Sequence, residues 1–407
     1  MNKLLFFLFS ILILASCKSN SKKIDFSKEL QFASSQLNTT LEENNDPKKI
    51  PRTLEKDGKL KTVGAYNWTS GFFAGNLWYM YKLSGEEKWK NEATKWTETL
   101  DVIQYWTGNH DVGFMIYCSY GNAYRFNDRT DYSKVITTTA ESLSQRFNPK
   151  TGVIKSWDRS QSWDGKTKWN YPVIIDNMMN LELLFEGSLL SGNKKYYDIA
   201  VTHANNTIQN HYRSDYSSYH VVNYDLETGK PSDKGTNQGF TDDSSWARGQ
   251  AWGLYGFVVC YRYTKDEKYL EFAENIASYI INHPSLPEDS IPLWDYHAED
   301  VSKTPDWKYK FNPDDYKKTP RDVSAAAITA SALLELSTFS NKQDYKSSAE
   351  KILTSLSNSY LADTSKNNYF ILDHSVGSIP HGVEIDVPLV YADYYYLEAI
   401  SRYEDLK

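Results

Sequence analysis

"SSWARGQAWGLYGFVVCYRYTKDEKYLEFAENIA", residues Ser244–Ala277, is one unit of a repeat, and that repeat decides the fold. Small and apolar residues dominate from Ala247 to Tyr263, which predicts a helix buried on most of its sides. A short polar turn ends it. A second helix then opens with Tyr269 four positions before Ala273, a spacing that puts both on one face.

The same order recurs along the chain. Second helices are expected at "EEKWKNEATKW" (Trp89, Ala93), "RTDYSKVITTTA" (Tyr132, Ile136), "NKKYYDIAVTHA" (Tyr197, Val201) and "NKQDYKSSAEKIL" (Tyr345, Ala349). Their first helices start near "TSGFFAGNLWYMY", "DVGFMIYCSYGNAYR", "IIDNMMNLELLFEG" and "DVSAAAITASALLEL". A sixth first helix, "DVPLVYADYYYLEAI", has nothing after it, and the N-terminal "IDFSKELQFASSQL" is a candidate partner. Six hairpins sharing a ring give an all-α fold, a closed (α/α)6 toroid or six-hairpin barrel with first helices inside. Gly71, Gly75, Gly113, Gly249, Gly253 and Ala325 to Ala327 suit close packing there. An open solenoid is the competing architecture; the orphan last helix and its candidate partner favour closure. Strand signals are sparse, with "SSYHVVNYDLETG" reading as a hairpin in a long loop.

The chain's start reads differently. "MNKLLFFLFSILILASCK" has a Lys3 n-region, an apolar core and small residues before Cys17, the pattern of an export leader. Its "LASC" ending resembles a bacterial lipobox, which implies cleavage after residue 16 and lipidation of Cys17. Residues 17–27 are then a polar tether, and 28–407 a single catalytic barrel domain. The expected location is that of an exported lipoprotein, on the periplasmic side or the cell surface, touching membrane only through the N-terminal lipid. Cys118 and Cys260 lie in apolar helical runs and are expected to be buried free thiols. A net charge of −7 with no basic block offers nothing to nucleic acid. The 31 Tyr and 12 Trp favour surfaces that stack on flat ligands or sugar rings.

Polar residues stand at the head of each expected first helix: Thr69 or Ser70, Asp111, Ser244, Asp322 and Asp386. In "YPVIIDNMMNL", Tyr171–Leu181, the spacing of Ile174, Met178 and Leu181 predicts a buried helix with Asp176 inside it or in its first turn after Pro172. In a toroid Asp111 and Asp176 open consecutive inner helices and approach across one mouth. Two carboxyl groups placed so raise each other's proton affinity, and burial adds to the effect, which suits a general acid. A helix N-terminus works against that shift by stabilising the anion. Arg248, with a planar fork, is the carboxylate-binding candidate, and its alternative is a salt bridge to Asp242 or Asp243. Trp68, Trp157 and Trp252 are stacking candidates, each with a core role as the alternative. His110 and His220 read as structural or incidental by themselves. No fixed-spacing metal motif occurs, so no metal and no cofactor is expected.

Assembled, the segments "NWTSGFFAG", "NHDVGFMIYCSYGNAYR", "GVIKSWD", "IIDNMMNLELLFEGS", "SYHVVNYD", "TNQGFTDDSSWARGQAWGLYGF" and "ADYYYLEAI" resemble the unsaturated glucuronyl hydrolases of glycoside hydrolase family 88. The sister unsaturated rhamnogalacturonyl hydrolases share a similar Trp-Ala-Arg-Gly stretch but usually continue Asn-Gly-Trp. Here Gln250, Ala251 and Trp252 follow, which favours the glucuronyl family. The resemblance implies release of 4,5-unsaturated uronic acid from the non-reducing end of lyase-generated oligosaccharides, by hydration of the C4=C5 enol ether. It implies Asp176 as proton donor to C4 and Asp111 as the second essential acid. Trp68, His110, Trp157, His220, Gln238, Arg248 and Trp252 match substrate-contacting positions. "HSVGSIPHGVEIDVPLVYAD" departs from the Lys and Ser pair that better-known members carry, so no chondroitin or hyaluronan preference follows. The partner is an unsaturated uronic-acid oligosaccharide, and the protein is expected as a monomer or weak homo-oligomer. An unsaturated rhamnogalacturonyl hydrolase and a non-catalytic sugar-binding lipoprotein are the competing readings.

Overall fold

The computed structural model describes residues 23–407, apart from 128, 159, 308–317, 341 and 343. The expected leader, Cys17 and most of the tether lie outside the described residues.

Thirteen α-helices carry the described chain. They are α1 (Ser27–Glu43), α2 (Ser70–Ser84), α3 (Glu87–Glu98), α4 (Val112–Ile116), α5 (Asn122–Phe126), α6 (Tyr132–Ser144), α7 (Asn177–Ser191) and α8 (Lys194–Asn210). The rest are α9 (Ala247–Thr264), α10 (Glu267–Asn282), α11 (Val323–Phe339), α12 (Asp344–Ser359) and α13 (Val390–Asp405). A π-turn at Tyr117–Gly121 joins α4 to α5, so the two act as one interrupted helix.

The two helix classes differ as the repeat predicts. In α9 every residue from Ala247 to Cys260 is buried, and α2, α7, α11 and α13 are buried over long unbroken runs. Such helices touch protein on all sides. In α10 only Tyr269, Ala273, Ile276, Ala277 and Ile280 are buried, one stripe of a surface helix. The aromatic-plus-four pattern is buried in α3, α6, α10 and α12. In α8 the register differs by one: Tyr196 and Ala200 face inward, whereas Tyr197 and Val201 are only partly buried.

Each first helix packs on the next: α2 on α4, α4 on α7, α7 on α9, α9 on α11, α11 on α13, and α13 on α2. Small residues permit this closeness; a Cβ on Gly71 would sit 2.3 Å from Met115 O. The N-terminal segment meets the last helix, with Phe26 edge-on to Tyr403 at 5.5 Å and Ile24 N–H donating to Tyr403 Oη at 2.9 Å. One continuous apolar cluster runs from Phe26 to Tyr403. Cys118 and Cys260 are both free and buried within it.

The connections hold more strand than the sequence suggests. The strands are β1 (Ile50–Leu54), β2 (Leu60–Val63), β3 (Phe147–Asn148), β4 (Val153–Ile154), β5 (Ser160–Gln161), β6 (Lys168–Trp169) and β7 (Pro172–Ile174). They continue with β8 (Val221–Tyr224), β9 (Pro231–Gly235), β10 (Ser375–Ser378) and β11 (Val383–Val387). β7, β8 and β9 form an antiparallel sheet with Ile174 opposite Val221. Ile174 is thus strand rather than helix, and α7 starts only at Asn177. Two expected helix heads also move. Ser244 precedes the N-cap Trp246 by two residues, and Asp386 lies in β11, because Pro388 holds the chain extended until Leu389.

Candidate active site

At the end of the first helices where α2, α4, α7 and α9 begin, a cavity of about 270 Å3 opens between the loops. It is just below the roughly 300–1,000 Å3 common for ligand pockets, enough for a sugar ring and its linkage. Trp68, Asp111, Trp157, Asp176, Gln238 and Arg248 all line it, so six of the expected site residues come together. His110, His220 and Trp252 are almost wholly buried and stand behind the cavity wall.

The three-stranded sheet explains the position of Asp176. Asp176 follows β7 by two residues and His220 immediately precedes β8, and Ile175 N–H donates to His220 O at 3.0 Å. Strand pairing therefore brings His220 Nε2 to 3.8 Å from Asp176 Oδ2. The imidazole is oriented from behind: Asn237 N–H at 2.9 Å and Gln238 N–H at 3.2 Å both donate to Nδ1. Two donors on Nδ1 leave the ring proton on Nε2, on the side of the acid. Burial first, then the Arg248 charge, pulls His220 down to about 3, so the ring is neutral.

Asp111 takes the N-cap position of α4 without making a capping bond. Its carboxyl instead faces the cavity, with Oδ1 3.2 Å from His110 Nε2. Burial raises Asp111 to about 8, and the Asp176 charge adds to the rise against the pull of Asn109 and Arg146. Burial also lifts Asp176 to about 7, opposed by Arg248, the backbone and Trp252. The mutual repulsion falls on Asp111 because it is the second of the pair to ionise, when Asp176 already carries its charge. The helix N-terminus, which favours the anion, is outweighed at both acids.

Arg248 differs from expectation in its partners. It is fully buried and pairs with Asp322 at 2.9 Å, not with Asp242 or Asp243. Its two terminal nitrogens also donate to Val376 O and, at 2.6 Å, to Gly377 O on β10. The fork is thus occupied, and Arg248 serves the cavity as a fixed positive charge; only Nε finds no acceptor among the described residues. Trp68 packs on Tyr391 at 4.9 Å, and Trp157 lies edge-on to His220 at 6.2 Å, each half-buried with surface left for a ligand. Trp252 is 0% exposed, wedged between Phe114 and Tyr395, and forms floor rather than platform.

The sequence reading missed Arg52. It reaches the cavity from β1 and makes a bidentate pair with Glu384 on β11, with Nη2 to Oε2 at 2.7 Å, while Nη1 donates to Asn67 at 2.8 Å. Glu384 holds a left-handed φ of 54°, a costly conformation for its residue type that this pairing and the hairpin maintain. The "KDG" turn of residues 56–58 signals the β1–β2 hairpin, but nothing local signals its reach across the mouth. His381, Asn109 and Asn237 also line the cavity and were not anticipated.

A larger cavity of about 460 Å3 lies among the C-terminal halves of the same helices. Its arginines are consumed by carboxylates and carbonyls: Arg262 by Glu182 and Glu335, Arg402 by Glu335 and Ser331 O. The Arg262 and Arg402 charges there hold Glu335 down to about 2 in spite of its burial, whereas the smaller cavity holds the two raised acids. Among the described residues no group of three or more His, Cys, Asp or Glu is placed to hold a metal ion.

Comparison with known proteins agrees with this geometry. The sequence profile of Glycosyl Hydrolase Family 88 matches residues 39–406. The chain belongs to that family. An unsaturated glucuronyl hydrolase of Formosa agariphila is 42% identical over 365 residues, covering 89% of this chain and 86% of that protein. An unsaturated chondroitin disaccharide hydrolase of Streptococcus pneumoniae is 34% identical, covering 87% and 86%. Among solved structures, an unsaturated glucuronyl hydrolase specific for heparin superposes with a TM-score of 0.84 at 46% identity, covering 93% of this chain and 96% of the other. Family membership and this likeness join the mostly helical chain to the unsaturated glucuronyl hydrolases as one fold.

Proposed function

We propose that the protein is an unsaturated glucuronyl hydrolase that acts on the 4,5-unsaturated uronic acid at the non-reducing end of an oligosaccharide. The observation that carries this is two carboxyl groups, Asp111 buried and Asp176 partly buried, that line one cavity sized for a sugar ring, where burial raises the proton affinity of both. Asp176 delivers a proton to C4, and the electron pair of the C4=C5 bond forms the new C4–H bond. The positive charge left at C5 is shared with the ring oxygen. Water adds its oxygen to C5 and passes a proton back to the Asp176 carboxylate. The C5 hemiketal then opens by breaking its bond to the ring oxygen, giving a ketone at C5 and a hemiacetal at C1, which releases the aglycone alcohol and leaves an aldehyde. One water is consumed.

The residue chemistry suits these steps. An acid with a pKa near the working pH combines availability with driving force. Arg248, buried and immobile, offers fixed positive charge for the substrate carboxylate. His220 offers an N–H at Asp176, and Trp68 and Trp157 offer faces for the flattened ring. The carboxylate-separation rule of ordinary glycosidases does not apply, because the anomeric carbon is not attacked. A non-catalytic binder has no use for two acids of raised proton affinity in one cavity, and that speaks against the sugar-binding alternative.

The architecture in this reading is a closed (α/α)6 toroid, supported by the order of helix contacts, which returns from α13 to α2. The reading extends to the leader: Cys17 carries lipid and holds an exported enzyme at a membrane. The "LASC" sequence supports this, and the mass of the mature N-terminal peptide tests it.

Adding the protein to unsaturated uronyl disaccharides of the heparin, chondroitin and rhamnogalacturonan types tests the activity. The ultraviolet absorbance of the conjugated double bond falls with the glucuronyl substrates. Loss with the galacturonyl-rhamnose disaccharide alone favours the sister activity, and no loss with any of them refutes the proposal.

A further inference from the structure

The α4 helix begins without help from its own N-cap, and the reason lies in the next inner helix. Phe114 N–H, one of the unpaired amides of the first turn, donates to Asn180 Oδ1 at 2.9 Å. Asn180 is on α7 and is 0% exposed. Gly113 permits the approach, since a Cβ there would meet Asn180 Oδ1 at 2.3 Å. With its oxygen committed to Phe114, the Asn180 amide must turn its NH2 the other way, and that nitrogen lies 3.5 Å from His110 Nδ1.

A second donor reaches the same ring nitrogen. Ser156 Oγ lies 3.4 Å from His110 Nδ1. It already accepts from Ile174 N–H at 3.0 Å and from Asn177 Nδ2 at 3.4 Å, so its own proton is the one left to give. Both neighbours can give hydrogen to Nδ1, an arrangement that suits a lone pair there. The ring proton then belongs on Nε2, which lies 3.2 Å from Asp111 Oδ1 and completes no hydrogen bond among the described residues. Burial keeps the ring neutral, down to about 3, with Arg146 pushing the same way and a hydrogen bond with Asn177 opposing them. The charged or titratable groups bearing on Asp111 are then Asp176, Arg146 and this imidazole N–H.

We infer that Asn180 is the positioning residue of Asp111: it caps α4 in place of Asp111, freeing that carboxyl for the cavity, and it fixes His110 as the Nε2–H tautomer. The pattern repeats the one at Asp176, where backbone N–H groups of Asn237 and Gln238 do the same for His220. Each acid thus has one neutral imidazole Nε2 within 4 Å, its ring approached from the rear by protein donors. The consequence for turnover rests on the functional reading above; the tautomer does not.

Asn180→Asp separates the two duties. It keeps the oxygen that accepts from Phe114, so the cap and fold survive, but sets an acceptor against Nδ1. The proton moves to Nδ1, and Nε2 then turns a lone pair toward Asp111. Nitrogen-15 NMR of the imidazoles, with the His110 signals assigned by His110→Gln, should show Nδ1 unprotonated in the unmodified protein and protonated in Asn180→Asp. We expect kcat on the unsaturated disaccharide to fall at least about tenfold, with KM moving less than about threefold, in line with the large cost of a wrong histidine tautomer elsewhere. Ser156→Ala should lower kcat less, because Asn180 still donates. A protonated Nδ1 in the unmodified protein overturns the proposal, as does an Asn180→Asp protein with unchanged spectrum and kcat. Should the unmodified protein show no turnover at all, the functional reading fails, while the imidazole spectrum still decides the tautomer.

Discussion

Replacing Asp176 by asparagine tests the origin of the acid before any substrate is added. In the native protein Asp176 holds its proton to about pH 7, against 3.8 for an unperturbed carboxyl. At 1.36 kcal/mol per tenfold change, that difference is worth about 4 kcal/mol. The sign follows from proton binding. Between pH 4 and 7 the unfolded chain has released this proton and the native state has not, so rising pH favours unfolding. The stability tied to the protonated group is complete below about pH 4 and gone above about pH 7. The amide introduced by Asp176→Asn does not titrate, so that variant should gain on the unmodified protein as pH rises. Two-state linkage gives a gap that widens by about 3 kcal/mol between pH 5 and pH 8. For a chain of this length, with unfolding entropy near 2.1 cal/mol/K per residue, that is about 3 °C in Tm. Scanning both proteins at several pH values measures the gap, and comparing slopes removes the pH-independent effect of the new amide. A gap that stays flat would show that Asp176 ionises like an exposed carboxyl, and the case for a buried acid would fail. The same value predicts that kcat/KM declines about tenfold per pH unit above about pH 7, where the proton donor is lost.

Three further outcomes follow from other parts of the structure. Arg52→Ala leaves Glu384 without its partner and loosens the β11 wall, so KM should rise about tenfold or more with a smaller change in kcat; an unchanged KM would exclude Arg52 from shaping the mouth. Tyr196→Ala should destabilise by about 3 kcal/mol or more and Tyr197→Ala by clearly less, as denaturant titration can measure, because only Tyr196 is fully packed. Chelation by EDTA should leave turnover unchanged, since among the described residues no three His, Cys, Asp or Glu are grouped to hold a metal ion; a reproducible loss restored by a divalent cation would contradict this.

The repeat made the helix classes legible because burial on all sides and burial on one stripe leave different residue spacings. The small-residue run of α9 and the Tyr269–Ala273 pair of α10 needed no tertiary information. Asp111 could be read as a helix head for the same reason. Asp176 was harder: Val173, Ile174 and Ile175 are β-branched and favour extended backbone, but Ile174, Met178 and Leu181 imitate helical spacing. Pairing with Val221 and Val222, almost fifty residues away in sequence, decided between the two, and no local pattern reports that. The head of α13 was misread because Asp386 has the composition of a cap, while Pro388 delays the helix. The alternative ion pair for Arg248 named the wrong acids for a similar reason. Asp242 and Asp243 are near in sequence, whereas Asp322 and the β10 carbonyls arrive only when the last hairpin folds back. Arg52 and Asn180 share this character, since each acts on an element far from it in the chain.

The central claim is that a proton is added to carbon C4 rather than to the glycosidic oxygen. Turnover of an unsaturated glucuronyl disaccharide in D2O, followed by NMR and mass spectrometry of the released uronic acid, tests it most directly. Hydration predicts one deuterium bound at C4, loss of the ultraviolet absorbance in step with aglycone release, and neither event with Asp176→Asn. Release of the aglycone at the same rate with the C4=C5 bond intact would contradict the account.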